Sequence, residues 1–154
     1  MLAAIALIAL SSMAGASVPA EERLFRGPSR FCGAHFAIDL KPGEEIGFRR
    51  GPDFDLFRFS GPEKGTGIYE GVAPDTFQNT RTTIRLPDGR EVDRLRDRET
   101  GFSYLFRFTD KGRESFVHLY GSAWSGNEQD NSLLNRIRTG TAASLNCAAP
   151  TAAQ

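Results

Sequence analysis

An excess of charge of either sign is the first thing this sequence lacks. Its 154 residues hold 19 Lys and Arg against 19 Asp and Glu, for a formal net charge of +0. The arginines are interleaved with acids, as in Asp93-Arg94-Leu95-Arg96-Asp97-Arg98, and such a chain shows no basic footprint for nucleic acid. Histidine is scarce too, with only His35 and His118. No His-x-His, His-Glu-x-x-His or Cys-x-x-Cys spacing occurs, so no metal site is indicated and no cofactor is expected.

The signatures of common enzymes are also missing. No Gly-x-Ser-x-Gly elbow lifts a serine nucleophile, and Ser103, Ser115, Ser122 and Ser125 read as strand, turn and cap residues. The segment Gly61 to Gly67 lacks the Gly-Lys-Ser/Thr ending of a phosphate loop, and Asp53-x-Asp55 lacks the further ligands of a calcium loop. Asp39, Asp55, Glu70 and Asp93 read as solvated strand and turn acids, although any two that converged would suit acid–base hydrolysis.

Cysteine is limited to Cys32 and Cys147. An even count placed toward the two ends predicts one disulfide and an oxidising compartment. The amino end agrees with that. Residues 1–20 read as an export leader, with an apolar run from Leu2 to Leu10 and small-residue cleavage sites after Ala16 and Ala20. The run is shorter than the ~20 residues of a spanning helix. It departs from the usual pattern in having no Lys or Arg before it, and an uncleaved leader would be the chain's one membrane contact. No cysteine follows to take a lipid. The expected location is periplasmic or secreted.

What the chain does have is phenylalanine, 12 of them, and alternation. A single β-rich domain is expected over 31–147, with a loosely ordered lead-in before it and a flexible tail over 148–154. The stretch from Phe102 to Trp124 reads as a hairpin turning at Thr109-Asp110-Lys111-Gly112. Its first arm, Leu105-Phe106-Arg107-Phe108, repeats the upstream Leu56-Phe57-Arg58-Phe59, so two similar hairpins are expected at the centre of one sheet. Phe31 to Leu40 alternates cleanly and predicts one long strand with Cys32, Ala34, Phe36, Ile38 and Leu40 on its core face, leaving His35 on a thinly covered face. Lys41-Pro42-Gly43-Glu44 fits a type II turn, and Pro87-Asp88-Gly89 joins a further hairpin. Ser125-Gly126-Asn127-Glu128 has the spacing of a capping box ahead of a helix that carries Leu133, Leu134 and Ile137 on one face, with Arg136 and Arg138 in its last turn. The expected fold is mainly β (α+β): an antiparallel sheet of about seven or eight strands built from sequential hairpins, with one C-terminal helix packed on it. An open sheet is preferred to a half-open barrel because Phe54 to Ser60, apolar at both parities, calls for cover on both sides.

The candidate ligand-binding residues follow from the repeat. Arg58 and Arg107 hold the same place in their arms, and neighbouring arms would project two guanidinium groups from one face as a cradle for a carboxylate, phosphate or anionic sugar. Tyr69, His118, Tyr120 and Trp124 are the residues expected to rim it. The competing reading is that both arginines pair with acids across the sheet. These features lead to the expectation of a non-enzymatic binding or interaction module of a bacterial envelope, whose partner is a small anionic ligand or an envelope protein. The alternatives are a small hydrolase using a carboxylate or His-based site and a protein inhibitor or accessory subunit.

Overall fold

Period-two alternation through the middle of the chain becomes strands wherever a glycine or proline turn lets the chain double back. The computed structural model describes residues 23–61, 66–74, 80–97, 101–121 and 132–147. Within them lie β1 (Arg23–Arg26), β2 (Ser29–Cys32), β3 (Phe36–Leu40), β4 (Glu45–Arg50), β5 (Phe54–Ser60), β6 (Thr66–Gly71), β7 (Thr80–Arg85), β8 (Glu91–Asp97), β9 (Gly101–Asp110), β10 (Arg113–Tyr120), α1 (Ser132–Arg136) and β11 (Arg138–Thr139). The protein is mostly β. An antiparallel sheet of eight strands runs in the order β1-β4-β5-β6-β10-β9-β8-β7, and a small second sheet runs β11-β3-β2. The β5–β6 and β9–β10 hairpins, which carry the repeated arms, occupy the four central places. Gly43, Gly89 and Gly112 supply the positive φ angles at three of the turns.

One face of the large sheet, here the near face, is roofed by the small sheet and by α1. Ile46, Phe57, Phe59, Ile68, Val117 and Leu119 meet Phe36 and Ile38 of β3 and Leu133, Leu134 and Ile137 around the helix, all buried. Each such side chain contributes about 1.5 to 3 kcal/mol by leaving water. A Cys32–Cys147 disulfide, with 6.1 Å between Cα atoms, fastens the C-terminal segment to β2. Beside the roof, Arg136 donates to both oxygens of Glu44 at 3.0 and 2.8 Å, and the N–H of Lys41 donates to the same carboxylate at 2.7 Å. Burial alone would raise the Glu44 pKa, but the Arg136 guanidinium and the Lys41 N–H outweigh it and hold the carboxyl below its ordinary value.

Four expectations are corrected or narrowed. Phe31 to Leu40 is not one strand: it folds at Gly33-Ala34-His35 into the β2–β3 hairpin, with Cys32 opposite Ala37. The physical reason is a distant carboxylate. Glu70 accepts the N–H groups of Ala34 and His35, giving these two backbone donors a partner outside any ladder. Gly33 permits the bend, since a Cβ there would collide with Phe36. The lead-in is also more ordered than expected, because β1 pairs with β4 from Arg23↔Phe48 to Arg26↔Glu45. Arg138 belongs to β11, not to the helix, while Arg136 is spent on Glu44. Finally, β5 is fully covered only on the near face, where Phe57 and Phe59 are buried. Phe54 and Leu56 on its other face are half-buried. The capping box at Ser125 lies outside the described residues.

Candidate functional site

Residues directly opposite one another in an antiparallel ladder point to the same face. Leu56 is opposite Tyr69, Tyr69 opposite His118, and His118 opposite Leu105, so these four form one row across the far face at the centre of the large sheet. A two-fold axis through the Tyr69/His118 pair carries Leu56-Phe57-Arg58-Phe59 onto Leu105-Phe106-Arg107-Phe108 residue by residue. The repeated tetrapeptides are therefore equivalent places in one sheet. All five described ligand-site candidates, Arg58, Tyr69, Arg107, His118 and Tyr120, stand on this far face, and Trp124 lies outside the described residues.

The axis also settles whether the two arginines meet. The arms are not neighbours, because β6 and β10 separate β5 from β9. Arg58 and Arg107 lie on opposite sides of the central row, roughly 14 Å apart across the strands and roughly 13 Å apart along them. They form no common cradle. Arg107 instead donates through Nε and Nη2 to Asp93 Oδ2 at 2.8 and 2.6 Å. Asp93 is buried, accepts Thr83 on its other oxygen at 2.8 Å, and has Arg81 at 3.5 Å. That half of the sheet is electrostatically closed.

The Arg58 half is different. Asp93 sits opposite Leu105, and the two-fold-equivalent position opposite Leu56 is Arg49. Where Arg107 has Asp93 as its diagonal neighbour, Arg58 has Arg49 in the equivalent place, and the acid on its other diagonal, Glu45, is taken by Arg26 at 2.8 Å. Both Arg49 and Arg58 are exposed, and neither has an ion pair among the described residues. Diagonal partners on adjacent strands have Cβ atoms roughly 7 Å apart, close enough for one carboxylate or phosphate to engage both guanidinium groups. Arg58 also stands between two glycines, Gly47 on β4 and Gly67 on β6. Tyr120 leans over Gly67 so closely that a Cβ there would have no room. Its phenol is pushed up by burial. Leu24, opposite Gly47 on β1, is exposed at the other end of the same row. The sequence pattern missed Arg49, although extending the alternation of Ile46 and Phe48 places it on the face they avoid.

The remaining candidates have local partners. Tyr69 stacks on Phe54 with ring centroids 5.7 Å apart, and its hydroxyl accepts the N–H of Ala73 at 3.1 Å. His118 is buried, with Nε2 2.9 Å from Ser103 Oγ, so two polar groups satisfy each other inside the sheet.

His35 is the histidine that meets carboxylates, and it does so on the near face. The turn that carries it folds over β6, bringing Nδ1 to 3.6 Å from Glu70 Oε1 and Nε2 to 3.3 Å from Asp110 Oδ2, against the ring of Phe108. Its side chain is mostly buried, contrary to the thinly covered position expected from an unbroken strand. Burial pushes the Glu70 carboxyl up despite the two N–H donors and the nearby imidazole. With both Glu70 oxygens bonded to the Ala34 and His35 N–H groups, that carboxylate fastens the turn and is not free for a substrate. Among the described residues no group of three or more His, Cys, Asp or Glu side chains could hold a metal ion. No helix among them is long and apolar enough to cross a membrane. No family model, curated protein or solved structure matches this chain.

Proposed function

We propose that this chain is an exported, non-enzymatic binding module of a bacterial envelope, and that it takes the anionic group of its ligand between Arg49 and Arg58. One observation carries the reading: at two equivalent places on one face, the sheet neutralises the arginine of β9 with Asp93 and leaves that of β5 beside a second arginine. Keeping two guanidinium groups exposed and close together is electrostatically unfavourable without an anion, and the fold has an acid at the corresponding position of its other half. Tyr120 and Leu24 flank the site and give it apolar surface for the non-ionic part of the ligand. The disulfide fits a compartment outside the cytoplasm, in line with the leader-like residues 1–20.

The test is native mass spectrometry of the protein recovered from the periplasm under gentle, non-reducing conditions, alongside R49A/R58A and R107A. An acidic adduct present in the wild type and R107A and missing from R49A/R58A is the expected result. Retention on a sulfated-polysaccharide matrix gives a second readout. Equal retention of wild type and R49A/R58A, or an adduct that survives in R49A/R58A, overturns the reading.

A further inference from the structure

β7 is the last strand of the large sheet, and no described strand pairs with its outer edge. Every residue in it except Ile84 is exposed. Its pairing with β8 runs from Thr80↔Arg96 to Arg85↔Glu91 without a bulge, and it contains no proline. Bulges, prolines, covering segments and edge charges are the usual devices that stop an edge from acquiring another strand; β7 has no bulge or proline and, among the described residues, no covering segment, so charge alone guards it. What it has is positive charge: Arg81 and Arg85 stand on the far face with Thr83 between them, and β7 carries no carboxylate.

Both arginines are held only lightly. Asp93 already takes two N–H donors from Arg107 and the Thr83 hydroxyl, which leaves Arg81 at 3.5 Å, beyond the length of a charge-assisted hydrogen bond. Arg85 reaches Glu91 at 3.0 Å, but the two side chains are 71% and 62% exposed, and such a surface pair contributes little. A second copy of this chain is a poor occupant of the edge. Two β7 strands joined in antiparallel about Thr83 would set Arg81 of each copy against Arg85 of the other, and like charges directly opposite are destabilising.

We propose that the outer edge of β7 takes up an extended acidic segment of a partner protein as an added strand, with carboxylates opposite Arg81 and Arg85. Main-chain hydrogen bonds to the open edge supply affinity, and the two ion pairs set register and partner choice. This edge lies at the opposite end of the sheet from Arg49 and Arg58, so the proposal stands or falls independently of the ligand site.

The probe is a short synthetic peptide with glutamates four positions apart and threonine and valine between them, titrated into the full chain at low salt while amide hydrogen exchange is followed. Binding with new protection in β7 is expected. In R81E/R85E the affinity falls about tenfold or more, and a peptide with lysines in place of the glutamates restores it. Should that variant fail to fold, R81Q/R85Q gives the same comparison for the glutamate peptide. A same-charge peptide broken by a central proline must bind more weakly. Equal binding of the broken peptide, no protection in β7, or failure of the lysine peptide to restore affinity overturns the proposal.

Discussion

Arg58 and Arg107 sit in the same tetrapeptide, on equivalent strands, on the same face of one sheet, and meet opposite electrostatic fates. The difference extends to their surroundings. On the β8–β10 side of the axis the middle of the far face is closed: Leu105, Ser103, His118, Leu95 and Asp93 are all buried, with Arg107 and Tyr120 exposed at its margins. On the β4–β6 side, Leu56 and Tyr69 are half-buried and Arg49 and Arg58 are exposed. One half of the sheet has buried the middle of its far face while the other leaves the equivalent positions half-buried or exposed. The lesson is that a motif's chemistry is set by its neighbour on the next strand.

Substitutions at equivalent places test this difference. Leu105→Ala should cost about 3 kcal/mol in urea unfolding and its counterpart Leu56→Ala about 1 kcal/mol, because only the first empties a closed site. Equal losses would mean that the two halves are packed alike. Asp93→Ala should cost about 2 kcal/mol by stranding Arg107, whereas Arg49→Ala should stay within about 0.5 kcal/mol.

Glu70 on β6 has apolar Leu119 as its equivalent on β10, so only one half carries this buried acid. Because the Glu70 pKa is raised in the folded chain, the folded state binds that proton more tightly than the unfolded state. Its stabilising contribution is present below the ordinary glutamate value of 4.5 and is lost as pH rises through Glu70's own higher value. Glu70→Gln should flatten that part of the stability profile. An unchanged slope would place the titration elsewhere. The smallest expected stability effect is the most telling for function. Arg49→Asp installs the acid of the closed half beside Arg58, and should abolish anion retention while shifting stability by no more than about 0.5 kcal/mol.

Much of the fold was legible because it rests on local patterns. Alternation marked the strands, Gly43, Gly89 and Gly112 marked turns, and the repeated tetrapeptides located the central hairpins. The features that escaped depend on contacts distant in sequence. Nothing within Phe31 to Leu40 shows that a glutamate on β6 will take two of its N–H groups and fold it in half. The cradle of Arg58 and Arg107 failed on strand order, since the repeats came together across β6 and β10 and so placed their arginines at opposite corners. Arg49 was hidden differently. A net charge of zero says nothing of where the charges lie, and only the register shows that one arginine has an aspartate beside it and the other does not.

The roof over the near face has a consequence for the order in which the protein can be completed. β2 and β3 are made before most of the large sheet, while α1, β11 and Cys147 come after the last of its strands. A nascent chain can pair its hairpins as they emerge, and Phe57 meets Phe31, Phe36 and Phe48 of strands already made, yet the shared core lacks Leu133, Leu134 and Ile137 until the C-terminal segment is released. Synthesis therefore leaves part of the core open until the end. An eight-stranded sheet waits for a helix of five residues and a thiol at position 147.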